Sequence, residues 1–478
     1  MKIALAASEA APFLKTGGLG DVMQALPAEL SRMPGNEVAL LLPYYGRIKR
    51  DPEIRTEFVT EFEISLAWRR CYVGLFRLKS RRRKLQVYFI DNEQYFDRGR
   101  IYGEPDDGER FAFFSRAVPA CLNALDFRPD VLHCNDWQTA LIPMLMKSEF
   151  SSCFPQTKTV FTIHNVEYQG WADAVFNMDV LGLPAQYTDL LRFGDGSNFM
   201  KSAVVMADAL TTVSETYAVQ LQYPYYSHGM HQILQYYPEK MTGITNGIDM
   251  ELFNPAHDAL LPVCYDSTTA AEGKLANKLA LQRELELAED RDTAVLAMVT
   301  RLVSHKGIDL LTYIADRLMS RRVQLVILGT GEPQFEAFFR AMQGRYPDRV
   351  AAVLHFDAKL ANRIYAASDL YLMPSKSEPC GLSQLIAMRY GAVPVVNETG
   401  GLRDTVQPYC AADGSGRGFT FQSYNGDDFL AAIDRALALY YDEPENWAAL
   451  RARDMREDFS WKQPALRYMD VYRRICGK

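Results

Sequence analysis

The chain has 478 residues, 48% of them hydrophobic and 23% charged, a length that suits three average domains or two large ones. Its 52 basic and 59 acidic side chains leave a net charge of −7, so no basic surplus points to nucleic acid, although a local basic groove is compatible with that balance. Eight cysteines (Cys71, Cys121, Cys134, Cys153, Cys264, Cys380, Cys410 and Cys476) are scattered without a CxxC pair, which argues against a zinc site or a disulfide framework and for a reducing cytoplasm.

The N-terminal apolar run is broken by Ser8 and Glu9, too early for a signal peptide, and no apolar run is long enough to cross a bilayer. Ile3 to Ala7 instead predicts a strand buried on both faces. Lys15-Thr-Gly-Gly-Leu-Gly-Asp21 follows, with Val22, Leu26 and Leu30 at helical spacing. Strand, glycine-rich loop and helix form the layout of a nucleotide- or phosphate-binding unit. The loop is neither a Walker loop nor GxGxxG, so it names no ligand. Lys15 offers a mobile cation, or is simply a solvated lysine. Asp21 offers an acceptor.

Strands are expected at 38–42, 58–68, 71–78 and 85–90, the close spacing predicting a β-rich insertion or hairpin. A helix is expected at 109–125. Two further strands, within 130–137 and at 159–163, run into polar tips that carry Asp136 and His164-Asn165. Their tips share the carboxyl edge of a parallel sheet, where such sheets bind ligands. Asp136 alternatively caps the next helix, and His164 is alternatively a satisfied buried histidine. Residues 165–200 read as loop and short helices. Helix 198–207, strand 210–213 and helix 215–222 follow. The tyrosines of 223–230 read as a loop whose rings stack on a polysaccharide or, with slight preference, pack.

Asn246-Gly-Ile-Asp249 is a turn, and the polar, irregular 256–275 stretch follows it. Domains of 1–246 and 247–459 are expected, with a helix in 460–478 returning to the first. After the boundary, strands at 295–299, 323–328, 350–356, 370–373, 393–396 and 419–421 alternate with helices, which predicts a second doubly wound parallel sheet. The fold class is therefore α/β, two Rossmann-like halves with a cleft between them.

Ser375-Lys-Ser-Glu-Pro-Cys-Gly-Leu-Ser-Gln384 lies between a buried strand and an amphipathic helix. Pro379 fixes φ, Gly381 admits close approach, and a helix N-terminus attracts anions. Glu378 on the lip is suited to accept sugar hydroxyls. A plain packing turn is the alternative. Arg301 and Lys306 follow the first strand of this half and suit a diphosphate, Arg as a fork and Lys as a point charge.

Lys15-Thr-Gly-Gly-Leu19, His133-Cys-Asn-Asp-Trp137, Thr162-Ile-His-Asn165, Asn246-Gly-Ile-Asp249, Arg301-Leu-Val-Ser-His-Lys-Gly307, Glu378-Pro-Cys-Gly-Leu-Ser-Gln384 and Thr399-Gly-Gly-Leu402 resemble, in order and over nearly the whole chain, bacterial glycogen synthases and plant starch synthases. The resemblance implies a GT-B fold and retaining transfer of glucose from ADP-glucose to the non-reducing 4-OH of an α-1,4-glucan such as glycogen. It implies no metal and no cofactor besides the donor, a cytoplasmic enzyme, and no nucleic-acid or membrane partner. Oligomeric state is left open.

By position, the resemblance has Lys15, Gly18 and Asp21 contact the donor and Asp136 hold sugar hydroxyls. It sets the backbone carbonyl of His164 near the anomeric carbon. Arg301 and Lys306 bind the diphosphate, helped by the turn Cys380, Gly381, Leu382 and Ser383. Glu378 holds glucose hydroxyls, and Asn246 lines the cleft. Phe356 falls where the family usually has a tyrosine against adenine. The chain departs from the family at Asp357-Ala-Lys359, at Ser202-Ala203 and at 228–234. No carboxylate stands out as a nucleophile, so front-face attack is preferred to double displacement. Another GT-B transferase and a non-catalytic glucan-binding protein are the competing readings. A dehydrogenase and a phosphorylase are disfavoured.

Overall fold

The computed structural model describes residues 1–79 and 84–478. The chain forms two compact units, one of Met1–Asn246 with Trp461–Lys478 and one of Gly247–Ser460.

The first unit is built on a nine-stranded sheet. Its strands are β1 (Lys2–Ala6), β2 (Glu37–Pro43), β3 (Thr56–Leu66), β4 (Arg69–Leu78), β5 (Leu85–Asp91), β6 (Val131–Asn135), β7 (Lys158–Ile163), β11 (Ala209–Thr212) and β12 (Met241–Gly243). The order is β12-β11-β7-β6-β1-β2-β5-β4-β3. The first seven run parallel, and β4 and β3 add an antiparallel hairpin on β5. Position explains the composition. Ile3, Leu5, Val131, Leu132, Val160 and Phe161 are all buried because helices cover both faces of the centre. The edge strand β3 alternates, and Glu57, Glu61 and Glu63 along it discourage pairing with another edge.

Residues 165–200 hold more order than the sequence suggests. β8 (Trp171–Ala172), β9 (Arg192–Phe193) and β10 (Gly196–Asn198) make a small antiparallel sheet. These strands have two or three residues, too few for a period-two pattern. The loop expected at 223–230 contains the short helix Pro224–Ser227. The preference for packed rings there holds in part: Tyr225 and Tyr226 pack edge to face with centroids 4.8 Å apart, while Tyr223 and Tyr225 remain 57% and 61% exposed.

The helix Lys462–Cys476 belongs to this first unit. Tyr468 and Tyr472 are buried, and the Tyr472 hydroxyl lies 2.7 Å from Nδ1 of the buried His133 on β6. Burial holds the His133 ring near pKa 3, so it is a neutral hydrogen-bonding strut at pH 7.

The second unit carries a six-stranded parallel sheet. Its strands are β13 (Ala294–Val299), β14 (Val323–Leu328), β15 (Val350–Val353), β16 (Leu370–Met373), β17 (Val393–Asn397) and β18 (Phe419–Phe421), in the order β15-β14-β13-β16-β17-β18. Alternation along β13 makes two cores. Leu296 and Met298 join one apolar cluster with the helices Ile308–Met319 and Gly426–Asp442. Val295 and Ala297 join the other with the helices Ala358–Ala367 and Ser383–Arg389.

Two boundaries differ from expectation. The irregular stretch expected to 275 ends earlier, because the helix Ala270–Glu284 begins inside it. Its buried face carries Lys274, Asn277 and Lys278, so an apolar periodicity never appears. β15 stops at Val353, leaving Phe356 beyond the strand. The chain enters and leaves this unit at one place: the Ile248 N–H donates to the Phe459 carbonyl at 2.8 Å.

Candidate active site

In each unit the chemistry-bearing residues gather where the sheet order reverses. In the first unit β1 has β2 on one side and β6 on the other. In the second, β13 has β14 on one side and β16 on the other. Connections leave such a point in opposite directions and open a crevice at the carboxyl ends of the strands.

In the first unit the loop after β1 departs from the expected phosphate cradle. Glu9, only 3% exposed, stands under the loop. It accepts hydrogen bonds from the N–H of Thr16 at 2.8 Å, of Gly17 at 3.2 Å and of Gly20 at 3.1 Å, and from the Thr16 hydroxyl. Those amides point inward to a carboxylate the chain supplies itself, which occupies the place of an anion. Burial raises the Glu9 pKa against these four hydrogen bonds. Outside remain Gly18, the exposed first residue of the helix Gly18–Arg32, and Lys15. Lys15 is not a free solvated lysine: its ammonium pairs with Asp21 at 2.7 Å. Its stem lies over Gly20, where a Cβ would meet Lys15 Cγ at 2.9 Å.

Asp136 follows β6. The capping alternative fails, since its side chain makes no capping bond. Its Oδ1 accepts instead from the N–H of His164 at 2.8 Å and more weakly from that of Asn165 at 3.4 Å, at the end of the neighbouring strand β7. Asp136 has φ 57° and ψ 178°, a region an L-residue enters at a cost of about 1–3 kcal/mol. Burial, with Glu9 adding repulsion, pushes its pKa up to about 7. His164 is half-buried, with Nε2 3.0 Å from Asn135 Oδ1 and its ring held neutral, near pKa 3, by burial. Asn246, 7% exposed, ends the first of this unit's two segments, and among the described residues its Oδ1 has no hydrogen-bond partner.

In the second unit three loops lock together. Ser304–Lys306 forms a 3-10 turn after β13 and ends at Gly307. Gly307 has φ +75°, and a Cβ there would lie 2.0 Å from the Pro374 carbonyl oxygen. The N–H of Lys376 donates to the His305 carbonyl at 2.9 Å. The N–H of Gly401 donates to the carbonyls of Glu378 and Pro379, both at 3.1 Å. Gly307→Ala is therefore expected to lower stability by about 2–4 kcal/mol, read as a lower urea midpoint.

This framework brings Lys306 onto Glu378. The Lys306 ammonium is 2.6 Å from Glu378 Oε2, which also accepts from Ser375 Oγ at 3.1 Å. The expectation of Glu378 on an open lip is corrected. It is 7% exposed, because an unpaired carboxylate is costly to bury and Lys306 neutralises it there. Arg301 on the same loop is exposed.

The Gly381 turn has φ +75°. Gln384, fully buried, fastens it by donating to the carbonyls of Cys380 and Gly381 and to the Thr405 hydroxyl, all within 3.2 Å. Beyond it Leu382 caps the helix Ser383–Arg389, whose first-turn amides have no acceptor within the helix. Cys380 is buried in the turn and Ser383 Oγ faces the Met373 sulfur at 3.8 Å. Phe356, 88% exposed, stands after β15, three strands from β16, just before Asp357, which caps the next helix.

Sequence reasoning did not single out Glu9 or Gln384. Glu9 had a signal: an acid two residues past an apolar strand and within reach of a glycine loop. Gln384 had none beyond its place in the motif. Among the described residues no group of three or more His, Cys, Asp or Glu side chains is disposed to hold a metal ion, and none of the eight cysteines is in a disulfide.

Comparisons with known proteins follow this division. The family described as starch synthase catalytic domain matches residues 2–236, and glycosyl transferases group 1 matches 283–452. The chain is 44% identical to a glycogen synthase of Anoxybacillus flavithermus, over all of this chain and 98% of the other. It is 45% identical to a glycogen synthase of Clostridium novyi, covering all of both. Its structure is similar to the catalytic domain of starch synthase IV from Arabidopsis thaliana bound to ADP and acarbose, with TM-score 0.91, 34% identity, and coverage of 100% of this chain and 99% of that one. A sucrose-phosphate synthase from Thermosynechococcus elongatus, at 18% identity and TM-score 0.61 over 100% and 99% of the two chains, shares the fold.

Proposed function

The chain belongs to the glycogen synthase and starch synthase family of glycosyltransferases, and from that premise we propose that it transfers glucose from ADP-glucose to the non-reducing 4-OH of an α-1,4-glucan, glycogen included, with retention at the anomeric carbon. The fold is GT-B, two Rossmann-like doubly wound α/β domains. The carrying observation is the second unit's pair of loops at its switch point, one with Arg301 and Lys306, the other with Glu378 and the Gly381 turn.

In this reading Arg301, Lys306 and the amides around Gly381, Leu382 and Ser383 hold the diphosphate. Negative charge grows on the leaving phosphate as the bond to the anomeric carbon breaks, so fixed cations there stabilise the transition state more than the ground state. Lys306 is already fixed by Glu378 Oε2. Oε1 of the same carboxylate is left for a glucose hydroxyl. The exposed Phe356 ring is the platform for the adenine.

In the first unit, Lys15, Gly18 and Asp21 are the proposed donor contacts, and Asn246 offers its unpartnered Oδ1. Asp136 holds sugar hydroxyls and orients the His164 backbone, whose carbonyl faces the anomeric centre. The acceptor 4-OH attacks on the face from which ADP leaves. The bond to glucose forms as the phosphate bond breaks, and the acceptor proton passes to the departing phosphate oxygen. ADP and a chain longer by one glucose result.

No step in this scheme uses a metal or an added cofactor. The scatter of the eight cysteines, without a CxxC pair, supports a cytoplasmic setting. Among the described residues no helix is long and apolar enough to cross a membrane.

The test is incorporation of labelled glucose into glycogen from ADP-glucose and from UDP-glucose, each with and without excess EDTA. The expected result is incorporation from ADP-glucose at least tenfold faster and unchanged by EDTA. Failure of both donors overturns the reading, preference for UDP-glucose overturns the donor assignment, and loss in EDTA overturns metal independence.

A further inference from the structure

Glu9 is the most enclosed carboxylate at the first unit's switch point, and the transfer scheme above gives it no part. Four donors from a five-residue span converge on it: the amides of Thr16, Gly17 and Gly20 and the Thr16 hydroxyl. They come from both sides of the turn that leads into the helix Gly18–Arg32. Both Glu9 oxygens are used, Oε2 by Thr16 and Oε1 by Gly17 and Gly20. The loop is also tied to itself, with the Ala11 N–H donating to the Gly20 carbonyl at 2.9 Å and that of Leu14 to Ala10 at 3.0 Å. What these bonds leave facing out is the Lys15 side chain, 46% exposed, leaning over Gly20 toward Asp21.

We propose that Glu9 is a positioning residue for glucosyl transfer: a built-in anion that folds the 15–20 loop around itself, withholds the loop amides from phosphate, and so presents Lys15 and Gly18 to the donor. The activity part of this inference rests on the function proposed above; the loop-ordering part does not. A carboxylate is suited to the task because four converging donors leave no room for a neutral amide, whose NH₂ would face them. A displacement of about 1 Å at a substrate-positioning group can cost about 10²-fold in rate. The effect is carried by shape, since Glu9 touches neither substrate in this scheme.

The test uses the full chain carrying Glu9→Ala, with a urea midpoint to establish folding. Two readouts are taken, each with sodium acetate and with sodium chloride at equal ionic strength. One is kcat/KM for donor. The other is the rate of tryptic cleavage after Lys15, followed by mass spectrometry. Expected are a fall in kcat/KM of about 10²-fold, faster cleavage after Lys15, and partial reversal of both by acetate but not chloride, because acetate refills the carboxylate position. Thr16→Val, which removes only the hydroxyl donor, is expected to show the same two changes several-fold more weakly. It adds nothing when combined with Glu9→Ala.

Activity within twofold of the parent in Glu9→Ala overturns the positioning role. Cleavage at the parent rate, or no response to acetate, overturns the loop role. If Glu9→Ala does not fold, Thr16→Val decides alone, and unchanged cleavage in it rejects the idea. An inactive parent chain rejects the proposed transfer instead, while the cleavage result still decides Glu9.

Discussion

Lys306→Ala is expected to lower kcat/KM for glucosyl transfer by about 10³-fold, the upper range for removal of one transition-state charge partner. The variant should also lose about 3 kcal/mol of stability, because the remaining Glu378 carboxylate is left enclosed without its 2.6 Å partner. The two effects separate in the double variant. Lys306→Ala with Glu378→Gln has no stranded charge and should regain much of the urea midpoint. It should regain none of the rate, since neither the cation nor the anchored acceptor returns. A double variant as active as the unsubstituted chain would show that the pair is only structural. Lys306→Ala with ordinary kcat/KM would remove the diphosphate from this loop altogether.

Asp136 is expected to behave in the opposite sense, with activity and stability opposed. Its left-handed φ of 57° suits glycine, so Asp136→Gly should gain about 1–3 kcal/mol while transfer falls by about 10²–10³-fold. The pH dependence carries a sign. Its folded pKa of about 7 lies above the ordinary carboxylate value of 3.8. The folded chain thus keeps the proton to higher pH than the unfolded chain. Ionisation costs stability as pH rises from about 4 to about 7, and the full cost is present above 7. Relative to Asp136→Asn, the parent should therefore lose ground over that interval, read from urea midpoints at stepped pH. Transfer needs the ionised acceptor, so kcat/KM should climb through about pH 7 in the parent. That step should vanish in Asp136→Asn. A parent profile flat from pH 6 to 8 would show that the ionised form is not required.

Much of the scaffold was legible because its signals are local. β1, β13 and β16 hold short apolar runs, and the loops after them carry Lys15, Arg301, Lys306 and Glu378, residues singled out from the sequence. What escaped notice is non-local. Nothing near Glu378 indicates that a lysine 72 positions earlier lies against it. The burial of the carboxylate and the presence of the cation are one fact that appears only in the fold. Glu9 escaped for a related reason. A carboxylate beside a glycine loop reads as a repellent for phosphate until the amide directions are known, and here those amides point at it. The helix Ala270–Glu284 hides because its inner face is made of Lys274, Asn277 and Lys278, each satisfied by carbonyls or by Asp369. Hydrophobic spacing cannot detect a polar interior.

The tail helix Lys462–Cys476 completes a body whose other residues were all synthesised before Gly247. At roughly 5–20 residues per second, the first body waits on the order of ten to forty seconds with the seat of Tyr468 and Tyr472 open to water. The second body meets no such delay, since its ends, at Ile248 and Phe459, are already tied to each other. During synthesis, then, the later-made body is the one able to mature first, and the seat beside His133 is the last surface of the earlier-made body to close.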